Sequence, residues 1–396
     1  MKALPSSFLS KSRVLVGAVV ASVFALLTSC GNQSEISATG DNPGKESTVG
    51  ETIVLYSWSE YFSEDLLAEF TERTGISIDY QEFDNTDKLQ EILKSSPGRY
   101  DVVVIDDVTI RSLVDARLVR ELDLSRLPNF SNIDVRYLTE ETGKDGNKSF
   151  GVPYLWGTTL VAYRTDKLED PDNSWNLIFN RTKEGEAIVL GERIECYPAA
   201  LYALGLDPNS QNRDDLTEVT NLLSDVASKG TIRFGSDDDV MDAMVDGTAT
   251  VAMLYSGDAA LLADEEHPVD FFIPREGAML WTDNFVIPRD SEKSDAAYEF
   301  INFMLEADSA VASSEEVWYA TPNKLALDLL DPELREDERI FPPKEVLDRC
   351  QFIHSWNENT ERLVNNGWTR VQRAYLKKET ASEPVARTTE SVEVAD

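Results

Sequence analysis

Short apolar runs alternate along this chain with stretches in which apolar residues recur at helical spacing. Thr52-Ile53-Val54-Leu55-Tyr56 is apolar and rich in β-branched residues, the pattern of a buried strand. Ser63 follows as an N-cap, with Glu64 and Asp65 in the first turn, and Leu66, Leu67, Phe70 and Thr74 mark a helix that Gly75 closes. Ile76 to Tyr80 alternates as a second strand, Leu89, Ile92 and Leu93 mark a second helix, and Tyr100 to Ile105 is a nearly continuous apolar strand. A second series begins with the strand Ala187 to Leu190. Helices follow near Ile194 to Leu204 and Leu216 to Ala227, then a strand from Thr231 to Phe234. A helix carrying Val240, Met241, Met244 and Val245 precedes a strand from Thr248 to Tyr255. Ala278 to Pro288 reads as extended and Ser294 to Leu305 as helical. Strand–helix alternation predicts an α/β fold with right-handed crossovers and mainly parallel sheets, and two such series predict two lobes with a cleft between them.

The ends of the chain follow other rules. Lys2, Lys11 and Arg13 precede an apolar run from Val14 to Leu27, the layout of an export signal rather than of a membrane span. The run ends in Leu27-Thr28-Ser29-Cys30, which resembles the lipobox of bacterial lipoproteins and makes Cys30 the expected lipidation site. Residues 1–29 are therefore expected to be a signal peptide, 30–50 a polar tether and 378–396 a disordered tail. No other apolar stretch approaches the roughly 18 residues of a span, so attachment to the membrane is expected through lipid alone.

Charge narrows the partners. With 37 Lys and Arg against 72 Asp and Glu, the formal charge is −35, which disfavours nucleic acid and anionic lipid and favours encounter with cations. Cys196 and Cys350 could pair in an oxidising compartment or remain buried thiols. Two His residues and no Cys-x-x-Cys leave no zinc-like spacing, and no metal or other cofactor is expected.

Acidic and aromatic residues stand just past predicted strands, where α/β sheets present ligand contacts. Trp58, Ser59, Glu60 and Tyr61 follow the first strand. Asp106 and Asp107 follow Ile105, Glu192 and Glu195 follow Leu190, and Tyr255 with Asp258 follows the strand from Thr248. Trp281 and Asp283 lie in the extended segment. A buried ammonium needs opposite charge, and one carboxylate at ~4 Å is worth about 4 kcal/mol at an effective dielectric near 20. Aromatic faces add about 0.5–2 kcal/mol and hold an alkyl chain. Diamines suit such a set. Isolated acids are more often solvated or capping, a reading that applies to Asp107, Glu192 and Glu60.

Five segments carry a resemblance to a family. They are Tyr56-Ser57-Trp58-Ser59-Glu60-Tyr61, Tyr100 to Val104, Val152-Pro153-Tyr154-Leu155-Trp156-Gly157-Thr158-Thr159, Glu276-Gly277-Ala278-Met279 running on to Asp283, and Tyr319 to Lys324. In this order, from about Ile53 to Val371, the chain resembles the bacterial periplasmic spermidine/putrescine-binding proteins, the substrate-binding components of polyamine ABC importers. The resemblance implies the two-lobed periplasmic binding protein fold, with residues 51–152 and 281–324 in one lobe and 153–280 and 325–377 in the other. It also implies a ligand between the lobes held by Trp58, Ser59, Glu60, Tyr61, Asp106, Glu192, Glu195, Tyr255, Asp258, Trp281, Asp283 and Tyr319, with Asp283 the main ammonium partner. Trp156 is assigned to packing at the lobe junction.

Two departures stand out from the family pattern. Ile105-Asp106 occupies a place where the family often has Pro-Ser, and Tyr255 a place where it usually has Trp. Leu206 to Ser210 and Pro342-Pro343 are more similar to the putrescine type. What the resemblance implies is a monomeric, periplasmic, lipid-anchored protein that delivers putrescine or spermidine to an ABC permease and does no chemistry on it. Sensing is the alternative, with the same pocket reporting polyamine to a receptor. A hydrolase built on paired carboxylates ranks below both, because no Ser/His/Asp arrangement or phosphate loop is present.

Overall fold

Local chemistry starts the elements where the sequence places them. Ser63 Oγ accepts from Leu66 N at 3.1 Å to open the helix Glu64–Thr74, and Gly75 closes it in the left-handed region at φ 75°. The computed structural model describes residues 48, 50–59, 61–83, 88–180, 183, 185–264 and 267–382. Within them run β1 (Thr52–Trp58), β2 (Ser77–Phe83), β3 (Val102–Asp106), β4 (Val152–Arg164), β5 (Ala187–Leu190), β6 (Ile232–Gly235), β7 (Val251–Tyr255), β8 (Val269–Phe272), β9 (Met279–Val286) and β10 (Gln351–Phe352). The expected signal peptide, Cys30 and most of the tether lie outside the described residues, as does Glu60.

The fold is two-lobed α/β. Strands β2, β1 and β3 pair in parallel as one half, and β7, β5 and β6 as the other. The long strands β9 and β4 join these halves, each antiparallel to its neighbours along the path β3-β9-β4-β7. Alternate residues of β1 and β3 go to opposite faces. Ile53, Leu55, Val102 and Val104 pack with Phe70 and Phe300, whereas Tyr56, Val103 and Ile105 pack with Leu89, Leu93 and Ile110. A separate core around Trp175, Tyr197, Val219 and Leu254 fills the other half.

Two expectations need correction. The strand expected from Thr248 starts at Val251, because Gly247 turns the chain at φ 69°. Residues 378–382 of the tail expected to be disordered are helical, as the end of the helix Glu358–Ser382, which packs on the helix Arg213–Lys229, and residues 383–396 of that tail lie outside the described residues. Cys196 and Cys350 are both buried free thiols, so the pairing left open by the sequence is absent. Trp156 is 2% exposed and stacked on Tyr137 at 4.6 Å, a packing residue as expected.

Candidate ligand-binding site

Four helices begin just past strand ends, each with a carboxylate in its first turn. Asp107 opens Asp107–Asp115 after β3, and Glu195 lies in Arg193–Ala203 after β5. Asp237 opens Asp237–Val245 after β6, and Asp258 lies in Ser256–Asp264 after β7. The partial positive charge of a helix N-terminus lowers the cost of holding an acid there. Asp106 is itself the N-cap of the first of these helices, accepting from Thr109 N at 2.7 Å and Thr109 Oγ1 at 2.6 Å.

Register brings Asp283 to the same place. The β3–β9 ladder sets it opposite Asp106, and Tyr61 Oη donates to its Oδ2 at 2.5 Å. Burial pushes Asp283 up to about 7, with the Tyr61 and Trp58 side chains pulling down and the Asp106 charge pushing up. Tyr319 Oη donates to Asp258 Oδ2 at 2.8 Å, yet burial still raises Asp258 to about 6. Burial raises Glu195 to about 8, against the Thr159 hydroxyl and with help from the charges of Glu192 and Asp106; its Oε2 has no hydrogen-bond partner. Asp106 is raised by burial against its Thr109 bonds. Asp107 is raised further by burial and by Asp106, and it is 5% exposed with Oδ1 unpartnered, so it is not the solvated cap that an isolated acid suggests.

Aromatic rings fill the space between these acids. Trp281 meets Tyr255 edge-on at 5.6 Å and Tyr319 at 5.1 Å, and Tyr61 lies 6.1 Å from Tyr319. Two glycines admit them. A Cβ on Gly157 would lie 2.5 Å from Trp281 Cζ2, and one on Gly257 would lie 2.2 Å from Tyr319 Cε1. The indole Nε1 of Trp281 is buried without a partner.

Among the described residues, positive charge does not balance this set. Among the described residues, no Lys or Arg forms an ion pair with Asp106, Asp107, Glu195, Asp237, Asp258 or Asp283. Arg193, on the same helix as Glu195, is held by Glu361 and Asn365, each at 2.6 Å. Nor, among the described residues, is any group of three or more His, Cys, Asp or Glu arranged to hold a metal ion. Carboxylates held in or near the interior without a cationic partner are costly, so the arrangement is chemically fitted to an organic cation with alkyl parts that rings can flank.

Of the residues expected to form a site, Trp58, Tyr61, Asp106, Glu195, Tyr255, Asp258, Trp281, Asp283 and Tyr319 are brought together. Glu192 is the N-cap residue of the Arg193–Ala203 helix but makes no side-chain capping bond, and its charge acts on Glu195 and Tyr255. Ser59 is exposed at the turn after β1. Asp237 went unread in the sequence, although it stands past the Thr231–Phe234 strand as the other acids stand past theirs.

Residues 65–342 match the family of bacterial extracellular solute-binding proteins. The chain is 31% identical over 340 residues to the putrescine-binding periplasmic protein PotF of Escherichia coli (strain K12), covering 81% of this chain and 91% of that protein. It is 30% identical over 340 residues to a putrescine/cadaverine-binding protein of Pseudomonas aeruginosa, covering 83% of this chain and 95% of the other. Among solved structures, a putative spermidine/putrescine ABC transporter protein from Listeria monocytogenes superposes with a TM-score of 0.74 at 28% identity, covering 81% of this chain and 99% of that one.

Proposed function

The chain belongs to the bacterial extracellular solute-binding proteins, and from that premise we propose that it captures a small polyamine outside the cytoplasm and hands it to an ABC-type permease. One observation carries the reading: buried and half-buried carboxylates, with which no Lys or Arg among the described residues forms an ion pair, surround the rings of Tyr61, Tyr255, Trp281 and Tyr319. Ammonium groups would sit at Asp283 with Asp106, at Glu195, and at Asp258, while the rings hold the methylenes. The solute-binding family and the relatives, which are named for binding rather than turnover, favour capture over catalysis.

The halves would open about the two strands that join them, near Gly151–Tyr154 at the start of β4 and Gly277–Trp281 at the start of β9. The first half would comprise 51–152 with 281–324, and the second 153–280 with 325–377. Repulsion among the acids favours separation and a cation favours closure, so the ligand selects the closed state. Calorimetric titration with putrescine, cadaverine, spermidine and spermine is expected to give saturable one-site binding for at least one of them. Flat heats for all four would defeat the assignment.

Attachment through a lipid on Cys30 completes the proposal and keeps the protein at the membrane beside its permease. Cys30→Ala is expected to move the protein from the membrane to the soluble fraction of lysed cells with its amine binding intact. Retention in the membrane fraction would contradict the anchor.

A further inference from the structure

Three consecutive aspartates open the helix that follows β6, and each is placed differently. Asp239 forms a capping box with Ser236: Ser236 Oγ accepts from Asp239 N at 3.2 Å, and Asp239 Oδ2 accepts from Ser236 N at 2.9 Å. Asp238 faces solvent. Asp237 does neither. Its Oδ1 is buried with no hydrogen-bond partner, its charge acts on Tyr255 and Tyr319, and the charge of Asp258 acts on it. The capping box already serves this helix end, so capping does not explain a third, inward acid. Burial, then the neighbouring charges of Asp258 and Asp238, holds Asp237 well above the usual carboxylate range.

With Asp237 included, the acids of the site fall into three groups. Asp283 stands with Asp106, Glu195 with Glu192, and Asp258 with Asp237. Tyr255 stands among them, within reach of the charges of Glu195, Glu192, Asp237 and Asp106. A diamine can occupy two such groups and leaves the third uncompensated, whereas a linear triamine can place one ammonium at each.

Resting on the polyamine reading of this site, we propose that Asp237 sets its charge preference. It makes the Asp258 end doubly acidic and favours amines with three or more ammonium groups over diamines. Calorimetric titration of the full chain with spermidine and putrescine, beside Asp237→Asn and Asp237→Ser, tests this. The wild type is expected to bind spermidine more tightly than putrescine. Each variant is expected to lose at least about tenfold in spermidine affinity and less than about threefold in putrescine affinity, with an amine-free thermal midpoint no lower than wild type. Tighter binding of putrescine by the wild type, or a spermidine-to-putrescine ratio unchanged by both substitutions, overturns the role of Asp237 and leaves the polyamine site standing. Wild-type protein that binds neither amine overturns both.

Discussion

Asp283→Asn is expected to weaken binding of the preferred amine by at least about a hundredfold while leaving the protein folded. A carboxylate ~4 Å from an ammonium is worth about 4 kcal/mol at an effective dielectric near 20, and a hundredfold loss corresponds to about 2.7 kcal/mol. The smaller figure applies because Asp106, opposite it across the β3–β9 ladder, keeps part of the attraction. Asparagine has nearly the same shape, and its amide oxygen can still accept from Tyr61 Oη. The substitution also removes a buried charge that no Lys or Arg among the described residues pairs with, so the amine-free thermal midpoint at pH 8 is expected to match or exceed that of the wild type. Titration calorimetry and a thermal melt read the two effects separately. Unchanged affinity would remove Asp283 from its assigned place as the main ammonium partner.

Amine binding is also expected to release protons, and affinity is expected to climb as pH rises from about 6 to 8. Asp258, Asp283 and Glu195 are held near 6, 7 and 8, all above their usual values. An acid raised in this way binds protons in the fold that the unfolded chain gives up. Its contribution to stability is therefore fully present below about pH 4 and lost as pH rises through the folded value. An ammonium bound beside these groups favours their charged forms and lowers each pKa. At pH 7 at least about one proton should leave per amine bound, since Glu195 is mostly protonated there, Asp283 about half and Asp258 little, and Asp237, raised well above the usual carboxylate range, adds to the count. Titrations at pH 7 in buffers of different ionisation enthalpy, such as phosphate and Tris, count them from the difference in heat. A count near zero would mean that these carboxylates do not share the bound cation.

Most of this site was legible because strand ends are legible. The apolar runs closing at Tyr56, Ile105, Leu190 and Tyr255 mark where side chains leave the sheet, and acids or rings follow each of them. Asp237 obeys the same rule, but Ser236-Asp237-Asp238-Asp239 also reads as helix capping, and sequence alone cannot say which of three aspartates turns inward. Convergence was not legible either. It depends on β4 and β9 running antiparallel between the halves, a pairing of residues more than a hundred positions apart, such as Gly157 with Trp281. β4 itself escaped notice because Pro153 and Gly157 interrupt its apolar pattern. Residues 378–382 misled for a different reason: a polar composition is compatible with disorder and with an exposed helix end alike, and the helix Glu358–Ser382 is anchored by Val364, Trp368 and Val371 further back.

The bare backbone beneath Trp281 and Tyr319 bears on how the protein would measure its guest. A Cβ added at Gly157 or Gly257 would lie 2.5 Å or less from those rings, so the rings already rest on the backbone and neither can retreat toward the chain behind it. A bulkier molecule therefore cannot be admitted by tilting the walls; it must wedge the halves apart. Girth would then be read out as an incomplete swing of the whole molecule, a difference that a docking partner can sense from outside without touching the cargo.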